Sequence, residues 1–226
     1  VNRRPVLALS LASLSAASLV AALTAVPAAA DPLPGTSGLS ALRQATVDRA
    51  DAALNNPRAF KVAGSETVHQ SVVKPAQNRN VLELSGSNDN RTVFNHYNGN
   101  SWCGSFIAAM WTGKTMPDPA AYPRIPTSYE SSQAWRTDPR VAGRFHAYSG
   151  AGQTLPKPGD VLVWSDDGSS WAGHVGLVVK VTASTRTVLT VEGNVDGDEI
   201  ARKSYTWHTG GPLRAGKTFR GYTSRE

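Results

Sequence analysis

The 226-residue chain has a single cysteine, Cys103, so an intramolecular disulfide is excluded. It has no Lys/Arg run and no interleaving of aromatic with basic residues, and nucleic-acid binding therefore lacks its usual footprint. None of its five histidines stands in H-x-x-E-H, H-E-x-x-H or similar spacing, which argues against a zinc-dependent hydrolase. No metal and no cofactor is expected. There is no internal repeat, and bias in composition is confined to the first thirty residues. With 40% apolar and 18% charged residues the chain is neither disordered nor fibrous. The net charge is +6, or +4 once Arg3 and Arg4 are set aside, which suits an anionic surface such as a bacterial wall.

Those two arginines open a pattern of export. They precede an uncharged stretch from Val6 to Val26, followed by Ala28-Ala29-Ala30 and then Asp31-Pro32. The alternation of Ser and Ala makes the stretch only mildly apolar, and the A-x-A pattern falls where a signal peptidase cuts. Residues 1–30 are read as a signal peptide, with Asp31 as the mature N-terminus. No cysteine follows the stretch that could carry a lipid. The expectation is a secreted, wall-associated monomer with no stable membrane insertion after cleavage.

Beyond the signal, helices come early and strands late, an order that argues for α+β. Leu39, Leu42, Val47, Ala50 and Leu54 follow helical spacing, and Asn55-Asn56-Pro57 stops that helix. Within 31–92, read as a helix and irregular extension, Val72-Val73 and Val81 to Leu84 suggest short strands. Residues 93–226 are read as the main domain. A Gly/Asn-rich loop, Asn95 to Ser101, leads into a short helix from about Cys103 to Thr112 with Gly113 as its stop. A short helix is expected within Ser131–Val141. Strands are expected at Val161–Trp164, His174–Thr182, Thr187–Asn194, Ala201–Thr206 and Thr218–Tyr222.

A lone cysteine is commonly a small buried hydrophobe. Cys103, however, falls at a helix start, where free N–H groups and the helix dipole favour a thiolate. Gly104 would let another backbone come close. A thiol nucleophile needs a base, and the base needs a third group to orient it. Of His69, His96, His146, His174 and His208, His174 stands out because it opens an apolar strand beside a loop. With a three-residue connection, Ala183 to Thr185, strand parity sets Asn194 opposite His174 and Glu192 opposite Gly176, so both polar side chains can reach the imidazole. The other face would then carry Val175, Leu177, Val179, Val181, Leu189 and Val191. Ordinary solvent exposure of His174 and turn chemistry in Glu192-Gly193-Asn194 are the competing readings.

Four segments occur in order: Ser101-Trp102-Cys103-Gly104-Ser105-Phe106, Pro158-Gly159-Asp160 running into Val161–Trp164, Gly173-His174-Val175-Gly176, and Val191-Glu192-Gly193-Asn194. Together they resemble the CHAP family of cysteine, histidine-dependent amidohydrolases/peptidases, over roughly Asn95 to Tyr222. The resemblance implies a papain-like fold, an antiparallel sheet against an N-terminal helix bearing the nucleophile. It implies Cys103 as nucleophile, His174 as general base, and Glu192, with Asn194 nearby, as the orienting group. It also implies an amide bond of bacterial peptidoglycan as substrate, either the muramoyl–alanine linkage or a bond in the stem peptide or cross-bridge. Relatives in the wider group place an Asp before the cysteine, whereas this chain has Trp102. Tyr97, Asn98 and Asn100 are candidates for a second oxyanion donor. Trp102, Trp164 and Trp171 are candidates for lining the cleft, the last two reading better as structural tryptophans. Arg58 to Arg91 and the long Met116–Gln153 segment depart from the compact pattern. The alternative is a catalytically silent wall-binding module on the same fold.

Overall fold

A computed structural model describes residues 38–55, 90–96, 98–166, 171–197 and 199–226, together with the backbone of 69–74 and 79–84. The expected signal peptide, residues 1–30, and Tyr97 lie outside the described residues.

The fold is built around α2 (Cys103–Thr112), every residue of which from Cys103 to Trp111 is buried. A helix apolar on all sides has to be covered on all sides. It ends where expected: Gly113 takes the left-handed conformation at φ 75°, and its N–H bonds the Ala109 carbonyl at 2.7 Å. Helix α1 (Ala41–Asn55) packs on it with Val47, Ala50, Ala53 and Leu54. The expected Leu42 is only partly buried, and the inward position is taken by Arg43.

Against these helices lies an eight-stranded antiparallel sheet, which makes the class α+β. Its strands are β1 (His69–Lys74), β2 (Arg79–Leu84), β3 (Phe145–Ala147), β4 (Val161–Asp166), β5 (Gly173–Thr182), β6 (Thr187–Val195), β7 (Glu199–Thr206) and β8 (Lys217–Thr223), in the order β1-β2-β7-β6-β5-β4-β8-β3. Alternation divides the side chains. Val161, Val163, Val175, Leu177, Val179, Val191 and Ile200 join the helix core, while Leu162, Trp164, Val178, Val188, Tyr205, Trp207, Phe219 and Tyr222 form a second, aromatic core. The hairpin β1–β2 extends the sheet through β7. The short β3, pairing with β8, is too brief to leave a periodic trace in the sequence.

Ser131–Val141 forms two single-turn helices rather than one, α3 (Ala134–Thr137) and α4 (Pro139–Ala142). Asp138 precedes a proline and is extended, which ends α3. Its side chain then caps α4 by accepting from Arg140 N–H at 2.9 Å. Among the described residues no helix is long and apolar enough to cross a membrane.

The β5–β6 hairpin differs from expectation in an instructive way. Thr182 pairs with Thr187, so the connection is four residues, not three. An even loop alone would turn Glu192 to the wrong face. A bulge between Val178 and Lys180 adds one residue to β5 and restores the register, so that Leu177 pairs with Val191. Between bulge and turn the faces stay exchanged, which is why Val181 packs on the aromatic core instead of with Val175 and Leu177.

Candidate active site

Cys103 is the first residue of α2, and no side chain caps that helix end. The backbone N–H groups of Gly104 and of Val175, at the start of β5, donate to its sulfur, and the His174 imidazole hydrogen-bonds it. Burial by itself would push the thiol up. The hydrogen bond and charge of His174, helped by the two N–H groups, reverse this and hold it below its ordinary value. Gly104 has a separate duty: a Cβ there would lie 2.0 Å from the Tyr129 carbonyl oxygen, so only glycine lets this backbone cross the helix start.

His174 is buried near the start of β5, its cross-strand partner on β4 being Trp164. Its Nε2 is 3.0 Å from Glu192 Oε2, which leaves Nδ1 for Cys103. Burial opposes a charged imidazole, but Cys103 and Glu192 on either side raise His174 above its ordinary value. The lowered thiol and the raised imidazole together favour a thiolate–imidazolium pair.

Glu192 is fully buried on β6, where Gly176 makes room for it: a Cβ there would come within 3.0 Å of Glu192 Cγ and Oε1. Oε1 accepts from Thr190 Oγ1 and from Tyr205 OH, each at 2.7 Å, while Oε2 accepts from Arg214 Nη1. Arg214 Nη1 also donates to Tyr205 OH at 2.9 Å, closing the network. Burial would raise this carboxyl, yet His174, Arg214 and Tyr205 hold it down at about 2. Glu192 is thus a carboxylate with every lone-pair direction engaged.

Arg214, Tyr205 and Thr190 were not among the residues singled out from the sequence. Thr190 was legible, since it stands two positions before Glu192 on the same strand face. Tyr205 lies on the neighbouring strand, laddered to Val188. Arg214 comes from the segment between β7 and β8, with its guanidinium carbon 5.9 Å from the Trp164 ring centroid, and no local pattern announces it.

The remaining candidates are placed differently. Asn194 adopts a left-handed backbone at φ 59° within a register shift between β6 and β7, and its buried Oδ1 has no hydrogen-bond partner among the described residues. The expected position opposite His174 is not taken, because the β5–β6 ladder runs only to Leu177 and Val191. Trp102 and Trp164 are fully buried and offer no surface to a ligand. Trp102 stacks on Phe94 at 5.4 Å and donates to the Gly197 carbonyl, while Trp164 donates to the Pro212 carbonyl. Trp171 is 74% exposed. Asn98 and Asn100 are exposed on the loop before α2, where Asn98 Oδ1 accepts from Asn100 N–H. That loop is shaped by buried Asn95, whose amide nitrogen donates to the Asn90 and Asn100 carbonyls. Among the described residues no three His, Cys, Asp or Glu side chains are grouped to hold a metal ion.

Comparison with curated proteins and with solved structures gives no match. Residues 95–194 match the family model described as the CHAP domain. That span begins in the loop before Cys103 and ends at Asn194, and so encloses the thiol, the imidazole and the carboxylate just described; over these residues the chain is similar to the CHAP domain family.

Proposed function

We propose that the protein is a secreted, wall-associated cysteine hydrolase that cleaves an amide bond of peptidoglycan. The observation that carries this reading is the buried series Cys103, His174, Glu192 inside the residues that match the CHAP domain model. Secretion rests on the signal-like residues 1–30.

In this mechanism the Cys103 thiolate attacks the scissile carbonyl carbon, and the carbonyl π electrons move to oxygen. The Cys103 N–H, at the start of α2 where no side chain caps the helix, is the donor that stabilises that oxyanion in this reading. The His174 imidazolium then delivers its proton to the leaving amine as the C–N bond breaks, leaving a thioester on Cys103. Water, deprotonated by the neutral imidazole, attacks the thioester and regenerates thiolate and imidazolium. Glu192 holds the ring through Nε2 and stabilises its charged form. It keeps its own charge because Arg214 and Tyr205 do not let it take the proton.

The test is digestion of defined muropeptides by the purified protein and by Cys103→Ala, with products identified by mass spectrometry. The wild type is expected to release an amine and a carboxylate from one amide bond. The variant should lose several orders of magnitude in rate. Its circular dichroism should be unchanged, because loss of one small side chain costs only about 1–2 kcal/mol. Wild-type turnover by Cys103→Ala would end the reading.

A further inference from the structure

The end of α2 remote from Cys103 holds a second concentration of charge. At ~1.5 Å rise per residue, Trp111 lies about 12 Å along the helix from Cys103. Beside it is a concavity of about 180 Å³, open to solvent and lined by Trp111, Tyr122, Pro123, Ile125, Arg124 and Arg225. Four guanidinium groups gather there. Arg225 and Arg144 place their guanidinium carbons 4.6 Å and 5.4 Å from the Trp111 ring centroid. Arg49 donates to the Met110 carbonyl at 2.7 Å, and Arg124 is exposed on the lining.

Arg225 is only 4% exposed, yet neither it nor any of the other three forms an ion pair among the described residues. The carboxylates nearest in sequence and space are engaged elsewhere. Asp160 is held by the Arg43 guanidinium and the Arg225 backbone N–H, Glu226 by Arg43 and Ser40, and Asp48 by Gln44. Carbonyls satisfy several of the guanidinium donors, including Trp111 O for Arg225 and four chain carbonyls for Arg144. Carbonyls, however, carry only partial charge, and a helix C-terminus contributes about half a negative charge against four full positive ones. Burial and the neighbouring arginines Arg144, Arg124 and Arg49 pull Arg225 down to about 10, and the charge of Glu226 offsets them only in part. Buried charges are ordinarily paired.

We propose that this concavity is a binding site for an anionic oxygen group, a carboxylate or a phosphate, carried on an apolar body that rests against Trp111, Tyr122 and Ile125. The guanidinium fork matches both oxyanions. The site lies at the opposite end of α2 from Cys103 and does not depend on the hydrolase reading.

The experiment is thermal unfolding of the full chain at fixed ionic strength, with chloride replaced stepwise by inorganic phosphate, acetate or butyrate. A ligand that binds only the folded state raises Tm saturably. Phosphate or the carboxylates should do so, and butyrate should outperform acetate because of its apolar body. Arg124→Gln is the variant of choice, since Arg124 is exposed and donates no hydrogen bond that folding requires. It should raise the half-saturating concentration about ten-fold, the worth of one charge-assisted hydrogen bond, and leave the anion-free Tm equal or slightly higher as repulsion is relieved. A preference for phosphate assigns the natural ligand to phosphate-bearing polymers, and one for butyrate assigns it to carboxylate-bearing ones. No saturable rise with any of the three anions, or the same rise in Arg124→Gln, would overturn the proposal and leave the arginines as structural caps of α2.

Discussion

Glu192 and Asp160 are two buried carboxylates with much in common and, under the proposed function, different work. Both are almost inaccessible, both accept from an arginine, and both belong to segments whose order resembles a CHAP domain. Asp160 accepts Arg43 Nη1 at 2.7 Å and Arg225 N–H at 2.9 Å on one oxygen, and Lys157 N–H at 2.7 Å on the other. It ties α1, the turn before β4 and the last residues of the chain into one knot. Glu192 has the same saturation, but one of its partners is an imidazole that also faces a thiol. Burial and hydrogen bonding therefore do not distinguish a working carboxylate from an architectural one. The titratable partner does.

That contrast is open to direct attack. Glu192→Gln keeps the shape, removes the charge and puts an amide where the imidazolium needs an anion. Turnover should fall about 10–1,000-fold, a range typical of orienting and acid–base groups, while the protein stays folded by circular dichroism. The His174 imidazolium should also give up its proton at lower pH, since Glu192 is one of the two groups that raise it. A proton titration followed by NMR reads that shift directly. Wild-type turnover with Gln at 192 would move Glu192 into the same class as Asp160.

Asp160→Asn is the reverse experiment. It strips from buried Arg43 the better buried of its two carboxylate partners, leaving only the more exposed Glu226, and cannot satisfy the guanidinium and backbone donors on one side and an N–H on the other. Breaking a buried pair in this way costs roughly 3–5 kcal/mol, which urea unfolding would register as a lower midpoint at unchanged slope. The turnover of the molecules that remain folded should match the wild type. If it falls as far as in Glu192→Gln, the division between the two carboxylates fails.

How much of this was legible beforehand depends on distance along the chain. Helix α2 was readable in place and extent, because Gly113 and the apolar run Phe106 to Trp111 are local signals. The thiol, imidazole and carboxylate were named because each sits at the start of an element or on a strand of clear parity. The hairpin shows the limit. A three-residue loop was the simplest way to bring Glu192 to the His174 face, whereas the chain uses a four-residue loop and a bulge after Val178, and the two departures cancel at Glu192 but not at Val181. Bulges follow from packing across the sheet, which a single strand's pattern does not contain. The tryptophans illustrate the same limit: Trp164, read as structural, does fill a core, whereas Trp171, read the same way, is exposed, and only the neighbours of Trp102 show that it fills a core. Arg214 was out of reach altogether, since it meets Glu192 across a segment with no periodicity.

Arg214 is the next place to test the network. It donates to Glu192 and to Tyr205, and its positive charge helps to hold Glu192 at about 2. Arg214→Gln should keep a donor while removing that charge, so the Glu192 carboxyl rises and His174, facing a less compensated anion, rises with it. The sign is the same for both groups. The pH–rate profile should therefore move to higher pH as a whole, with a loss of about three- to ten-fold at the old optimum, equivalent to about 0.6–1.4 kcal/mol. A structural role alone would lower stability and leave the profile where it is.

The smallest effect is expected at Asn194, and it sharpens the comparison by supplying a polar neighbour that is not part of the network. Its left-handed backbone is a conformation that Asn and Gly tolerate and that Ala resists at a cost of about 1–2 kcal/mol. Its buried Oδ1 has no partner among the described residues, so removal of the amide forfeits no bond to His174. Asn194→Gly should thus unfold close to the wild-type midpoint, and Asn194→Ala somewhat below it. Both should turn over within about three-fold of wild type, less than 1 kcal/mol in the barrier. Measuring the two together separates backbone from side chain. Equal stability in Gly and Ala would show that φ is not the constraint there, and a loss in Asn194→Gly as large as in Glu192→Gln would make the amide, not the carboxylate, the group that steadies the imidazole.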